Sequence, residues 1–290
     1  MGIPVNSTCL ECNFRRNVEL ARSLGKEEAV TAFAKALMQL YIDMPENAST
    51  VRISPEINEL FCRFFGTEQD RYRQEKADSN AFVLERLPQI QALAESAEDP
   101  ILAGLQLAIL GNYLDFSALQ GQIRFDQLDQ MLRDALQMEL DPDMLSRFKA
   151  DLSVARTLLY VTDNAGEIGF DRIFAQQIQK VYPHLAITFC VRGGPALNDA
   201  TREDAALMGI PFPVIDNGTR IPGSELSLMS PEAKAAFEAA DVILSKGMAN
   251  VETLYGCNLN VYYAFLVKCR RFVELFGKPL MTPMFVREKP

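Results

Sequence analysis

From Val18 to Leu24 and again from Ala29 to Tyr41, apolar residues recur at three- and four-residue spacing, the mark of helices with one buried face. Gly25 parts these two segments and Pro45 ends the second. Ser54-Pro55-Glu56 predicts another helix start, with serine at the cap and proline in the first position, for a segment running through Leu60 and Phe64 to Gly66. Asp70 to Ala97 reads as a long charged helix, kinked or divided at Pro88. Ile101 to Leu110 is apolar almost all round, which predicts a buried helix begun at Asp99-Pro100 and closed by Gly111-Asn112-Tyr113-Leu114-Asp115. Phe125 to Met138 and Pro142 to Leu152 complete a helical half.

After Ala155 the pattern changes. Apolar runs alternate with helical ones: Leu158 to Val161 then Phe170 to Val181, and Ala186 to Val191 then Asp199 to Met208. Phe212 to Ile215, Val242 to Leu244, Leu259 to Phe265 and a last run near Leu280 to Val286 continue the series, with helical stretches at Pro231 to Ala239, Asn250 to Tyr255 and Val267 to Phe276. Strands that alternate with helices predict a parallel or mostly parallel sheet covered by helices. The expected architecture is an all-helical lobe over residues 1–151 and an α/β lobe over 152–290, with the boundary near Asp151. There is no repeat, low-complexity tract or Gly/Ser linker, so the two lobes are expected to form one unit.

Composition narrows the function classes. The 290 residues are 48% apolar and 23% charged, ordinary for a globule with a real core. A net charge of -9 without a basic tract argues against nucleic acid as a partner, but leaves a small anionic substrate possible if a local cation or metal receives it. No apolar run reaches membrane-spanning length, and the N-terminus lacks signal-peptide character, so cytoplasmic residence is expected. Cys9, Cys12, Cys62, Cys190, Cys257 and Cys269 are too scattered for a disulfide framework. Cys9-Leu10-Glu11-Cys12 is a lone CxxC, without a second pair to complete a zinc site, and reads as structural or regulatory thiols. With His184 as the only histidine, catalysis built on histidine has nothing to be built from.

Three apolar runs end in polar loops of one character. The first, Thr157 to Val161, opens into Thr162-Asp163-Asn164-Ala165-Gly166-Glu167. The second opens into Arg192-Gly193-Gly194-Pro195-Ala196-Leu197-Asn198-Asp199, and the third into Ser245-Lys246-Gly247-Met248-Ala249-Asn250-Val251-Glu252. In a parallel sheet all three lie on one edge, where ligands of open α/β sheets bind. Carboxylates and a carboxamide suit a hard divalent cation. Lys246 is a mobile charge for a phosphate, and the N–H groups from Gly247 to Asn250 are further anion donors at a helix start. Metal-assisted work on a phosphate fits this set. Taken singly, Asp163 and Asp199 read as helix caps, Lys246 as a solvated side chain and Arg192 as half of a surface ion pair. Three loops of the same chemistry on one edge favour a site. Neither G-x-G-x-x-G nor G-x-x-x-x-G-K-[ST] is present, which weakens a dinucleotide or P-loop reading.

Asp163-Asn164-Ala165-Gly166-Glu167, Arg192 through Asn198-Asp199-Ala200-Thr201, and Lys246-Gly247-Met248-Ala249-Asn250-Val251-Glu252 together resemble the damage-control phosphatases, or domain of unknown function eighty-nine. Cys9-x-x-Cys12-x-x-Arg15 and Gly111-Asn112-Tyr113-Leu114-Asp115 are similar to that family's small microbial branch. The resemblance spans nearly the whole chain. It implies a helical N-terminal lobe and a Rossmann-like, three-layer α/β lobe with the site between them. It implies a divalent metal (Mg²⁺, Mn²⁺, Co²⁺ or Ni²⁺) on Asp163, Asn164 and Asp199, with Asp163 and Asn164 at the chemistry. It further implies Lys246 on the substrate phosphate, with Gly247 and Asn250 nearby, and Arg192, Asn198, Glu167 and Glu252 as contacts or supports. Asn112 and Asp115 would close the site from the helical lobe. The implied activity is hydrolysis of phosphate monoesters of small metabolites, sugar phosphates and phosphopantetheine-like compounds included. A methyltransferase using S-adenosylmethionine and a metal or phospho-metabolite sensor without turnover are the alternatives. Oligomeric state is left open.

Overall fold

The computed structural model describes residues 2–46, 48–113 and 125–288. Its first part is helical: α1 (Ser7–Leu24), α2 (Glu27–Asp43), α3 (Ser54–Phe65), α4 (Arg73–Ser96), α5 (Pro100–Tyr113), α6 (Phe125–Ala135) and α7 (Pro142–Val154). Then come β1 (Thr157–Val161), α8 (Glu167–Val181), β2 (Ala186–Val191), α9 (Arg202–Leu207), β3 (Val214–Asp216) and α10 (Pro231–Ala239). β4 (Val242–Lys246), α11 (Met248–Leu254), β5 (Val261–Leu266), α12 (Arg270–Phe276) and β6 (Pro283–Arg287) finish the chain. Among the described residues no helix is long and apolar enough to cross a membrane.

The strands form one sheet in the order β3-β2-β1-β4-β5-β6. The first five are parallel and β6 runs antiparallel to β5. The strand order reverses between β1 and β4, so the crevice that opens at a topological switch point lies beyond Val161 and Lys246.

Side chains alternate across the sheet with the pleat. Leu158 and Tyr160 of β1, Val242 and Leu244 of β4, and Tyr262 and Ala264 of β5 enter a core shared with α4, α5, α7 and α8. Leu159, Val161, Ile243, Tyr263 and Phe265 enter the opposite core, closed by Phe237, Val251, Leu254 and Phe272. The mostly parallel sheet is thus covered on both faces. A third core, with Phe33 against Phe61 at its centre, unites α1, α2 and α3.

Several local expectations shift. Apolar spacing placed the first helix at Val18, but it begins at Ser7, where the Asn6 side chain caps the Cys9 N–H. A 3₁₀ turn at Thr50–Ile53 precedes α3, so Ser54 is already helical and does not act as its cap. Pro88 sits inside α4 without dividing it. The buried faces of Val83, Leu87, Ile90 and Ala94 on either side of the proline hold the helix through the lost hydrogen bond. All six cysteines are free thiols. Cys9 and Cys12 lie in the first turns of α1, with Cys9 beside Glu252, Arg271 and Cys269, and burial raises the pKa of Cys9 and of Cys269.

Candidate functional site

The two carboxylates that could have been helix caps are not. The cap of α8 is Gly166, with no side-chain cap bond, and the cap of α9 is Thr201, in a reciprocal capping box with Asp204. Asp163 and Asp199 both stand upstream of those positions, on strand-end loops sewn together by main chain. The Ala200 N–H donates to the Asp163 carbonyl at 2.7 Å, and the Ala165 N–H donates to the Asn198 carbonyl at 2.9 Å. Asn164 and Asp199 form an isolated antiparallel bridge. The first two loops are therefore one composite surface.

Around Asp163 two carboxamides serve two carboxylates. Asn164 Nδ2 donates to Asp163 Oδ2 at 2.9 Å and to Glu167 Oε2 at 2.8 Å. From the end of α5, Asn112 Nδ2 donates to the same two oxygens, at 2.9 and 3.0 Å. Asn112 Oδ1 is buried without a hydrogen-bond partner. Burial, followed by the charges of Glu167 and Asp199, holds the Asp163 carboxyl well above its usual range, against the pull of Arg192 and Lys268. Gly247 makes room for this carboxylate, since a Cβ there would lie 2.0 Å from Asp163 Oδ2. Asp115 lies outside the described residues.

Arg192 is wholly buried and makes four side-chain hydrogen bonds. Its Nε donates to Asp199 Oδ2 at 2.6 Å, and the terminal nitrogens donate to Ser224 Oγ, the Thr162 carbonyl and Asn250 Oδ1. Burial raises the Asp199 carboxyl pKa on balance, even with Arg192 bonded to it. Asn250 spends its Nδ2 on the Thr162 and Lys246 carbonyls. The Gly247 N–H donates to the Ala264 carbonyl, so it is not offered to an anion. Asn198 enters the site region through its carbonyl on Ala165.

Lys246 differs from the phosphate grip expected of it. The ammonium is buried and donates to Glu167 Oε1 at 2.7 Å, Asp171 Oδ1 at 2.7 Å and the Ala108 carbonyl at 2.8 Å. Its three donors are thus all taken. Burial by itself would lower the ammonium pKa, but Asp171 and Glu167 outweigh burial and raise it. Burial pushes Asp171 up to about 6 against the pull of Lys246, and Glu167 adds to the rise. Tyr160 Oη also donates to Asp171 Oδ1, at 2.7 Å. Lys246 is the counter-charge of an acidic pair under the site. The charge of Glu252 bears on Cys9 and Cys269 and is not among those acting on Asp163, and its main-chain carbonyl receives the Ile3 N–H. Burial alone pushes the Glu252 carboxyl up to about 7.

Known proteins of similar sequence and fold place the chain in a family. The damage-control phosphatase ARMT1-like domain matches residues 5–282. The chain belongs to this family. It is 30% identical over 254 residues to a damage-control phosphatase of Archaeoglobus fulgidus, covering 86% of this chain and 85% of that one. An uncharacterised protein of Methanocaldococcus jannaschii is 28% identical over 287 residues, 95% of this chain and 93% of its own. A solved DUF89 family structure from Pyrococcus horikoshii superposes with a TM-score of 0.84 at 27% identity, covering 99% of this chain and 100% of that one.

Within this family member, sequence reading passed over three groups that the fold brings to the site. Lys268 follows β5, exerts its charge on Asp163, and donates from Nζ to the Asn112 carbonyl at 2.6 Å. The rule that selected the other loops, polar residues just beyond a buried strand, applies to Lys268 as well. Asp171 lies one turn after Glu167 on the buried face of α8. Asn80 of α4 accepts the Gly166 N–H and had no signal in its own neighbourhood.

Proposed function

We propose that this protein is a divalent-metal-dependent phosphatase that hydrolyses phosphate monoesters of small metabolites, including sugar phosphates, phosphopantetheine-like compounds and damaged phospho-metabolites. The observation that carries the reading is the cluster of buried carboxylates at Asp163, Glu167 and Asp199, in which, among the described residues, the Asp163 carboxylate is hydrogen-bonded by the Asn112 and Asn164 amides and by no cation. A divalent cation is the group that such a cluster lacks. The donor set fits it: Asp163, the Asn164 carboxamide and the Asp199 oxygen not engaged by Arg192, with the orphaned Asn112 Oδ1 nearby. Among the described residues no three carboxylate, thiolate or imidazole groups form a ready cage, so the amide is a necessary member of the set.

Mg²⁺, Mn²⁺, Co²⁺ or Ni²⁺ at this place would supply charge neutralisation for phosphoryl oxygens and activation of water. The chain's own part is to fix the acids. Asn112 and Asn164 each donate a carboxamide hydrogen bond that holds the Asp163 carboxylate, and Arg192 orients Asp199 from behind. Lys246 neutralises Glu167 and Asp171 beneath them, and Lys268 places a cation on the Asp163 side where a substrate phosphate would enter. Asp163 is the group assigned to the phosphoryl transfer itself. We place the enzyme in the cytoplasm, in keeping with its free thiols.

A panel of phosphorylated metabolites and an aryl phosphate, screened with each metal, tests the reading. Metal-stimulated hydrolysis that disappears in Asp163→Ala is the expected result. Activity retained by Asp163→Ala removes the assignment. Metal and phosphate binding without turnover of any substrate would make the protein a sensor.

A further inference from the structure

The turn that presents Asp163 and Asn164 is held from the helical lobe. Gly166 has φ +75° and ψ -56°, and it caps α8 without a side chain to receive the orphan N–H groups of that helix start. Its own N–H donates 2.7 Å to Asn80 Oδ1 of α4, while Ser79 Oγ donates 3.1 Å to the Ala165 carbonyl. The approach leaves no space: a Cβ on Gly166 would lie 2.0 Å from Ser79 Oγ.

The other end of the same amide reaches the second loop. Asn80 Nδ2 donates 2.7 Å to Asp204 Oδ1. Asp204 Oδ2 accepts from the Thr201 N–H at 2.8 Å and Thr201 Oγ1 at 2.7 Å, and pairs with Lys76 of α4 at 2.8 Å. Thr201 lies two residues beyond Asp199, and Lys76 also bears electrostatically on Asp199. The amide cannot be turned round, because a flip would set carboxamide oxygen against carboxylate and NH₂ against N–H. Asn80 is almost completely buried.

We infer that Asn80 is a positioning residue, which sets the Asp163-Asn164 turn and the Asp199 loop in register and thereby fixes the cation affinity of the site. It touches neither substrate nor metal. This inference rests on the phosphatase reading for its link to metal, but its structural half stands alone. Removing one hydrogen bond behind a ligand loop weakens metal binding by roughly 10–100-fold in comparable sites.

The test uses the full chain as wild type, Asn80→Ala, Asn80→Asp, Asp204→Asn and the double variant Asn80→Asp/Asp204→Asn. Three quantities are read: the Mn²⁺ concentration giving half-maximal aryl phosphate hydrolysis, Mn²⁺ affinity by calorimetry, and hydrogen–deuterium exchange of the 163–168 segment without metal. Asn80→Ala is expected to raise the Mn²⁺ requirement roughly 10–100-fold, with a much smaller change in KM for the aryl phosphate at saturating Mn²⁺. It should also speed exchange of the segment in the metal-free protein. Asn80→Asp keeps the acceptor for Gly166 but sets two carboxylates face to face, so it should be as poor. The double variant restores one donor and one acceptor and should regain much of both readings. Should Asn80→Ala keep wild-type exchange, or lose thermal stability with an unchanged Mn²⁺ requirement, the inference is overturned. If the wild type hydrolyses nothing with any metal, the phosphatase reading fails. Metal-free exchange then still decides whether Asn80 holds the turn.

Discussion

Replacing Lys246 with methionine separates two roles for that residue, a grip on substrate phosphate and a counter-charge inside the fold. Methionine is unbranched like lysine, one heavy atom shorter and close to it in volume, so cavity formation contributes little. What is lost is an ammonium bonded to Glu167, Asp171 and the Ala108 carbonyl, with no exposed atoms on any of the three side chains. Removing one partner from a buried ion pair costs about 3–5 kcal/mol. Protonation sets an independent limit. A carboxyl can replace the lost cation with a proton of its own, at about 1.4 kcal/mol for each pH unit above an ordinary carboxylate pKa near 4. That gives about 5 kcal/mol at pH 8 and about 1 kcal/mol at pH 5.

The sign follows from Asp171. Its folded-state pKa is already raised, to about 6, so its contribution to stability is greatest at low pH and is lost as pH rises toward that value. Without Lys246 the loss extends to higher pH. At about 2–4 °C per kcal/mol, thermal unfolding of Lys246→Met followed by circular dichroism should show a Tm deficit of roughly 10–20 °C at pH 8 that shrinks to a few degrees at pH 5. A variant whose Tm matches wild type across that range, and whose only defect is a raised KM for phosphate esters, would refute the counter-charge role and restore the direct phosphate contact.

Other substitutions probe the rest of the site. Gly247 sits at φ +77° and ψ +161°, a region only glycine occupies without strain, so Gly247→Ala should cost about 1–3 kcal/mol in unfolding measurements. It should also lower kcat by about 100-fold by displacing Asp163, whereas a wild-type kcat would show that the carboxylate does not need this space. Saturating Mn²⁺ at about 100 times its Kd should stabilise the wild type by about 2.7 kcal/mol in thermal scans, and an unmoved Tm would argue against a cation site. Asp163→Asn removes a buried charge that Glu167 and Asp199 oppose. Its metal-free Tm should therefore rise while the Mn²⁺ response disappears. Glu252→Gln relieves a carboxyl whose pKa burial has pushed up to about 7, a contribution to stability present below pH 4.5 and lost as pH rises through 7. Chemical denaturation should show the variant gaining about 1–3 kcal/mol over wild type at pH 8 and almost nothing at pH 4.5, and equal stability at pH 8 would contradict the assignment.

How much of this was legible from the residues depends on the range over which each one acts. The strands were legible because buried parallel strands are short apolar runs, and the site loops because they follow those runs on one edge. Whether a polar side chain there faces a ligand or the core is a different question, settled by groups far away in sequence. Lys246 meets Glu167 79 residues off and the Ala108 carbonyl 138 off. Gly166 meets Asn80 across 86. No local pattern announces either contact. Strand parity nonetheless carries information that residue type alone does not. In β4, Val242 and Leu244 face the core beneath α5 and α8, and a period of two puts Lys246 on that same face. A lysine in register with core residues is committed to the interior, so it needs an acid from the covering helix, and Glu167 and Asp171 one turn apart on α8 supply it. Lys268 lies beyond the last residue of β5, where the pleat no longer dictates direction, and its Nζ donates to the Asn112 carbonyl at the end of α5. Parity read to the end of the strand therefore identifies Lys246 as the lysine that braces the acids of α8.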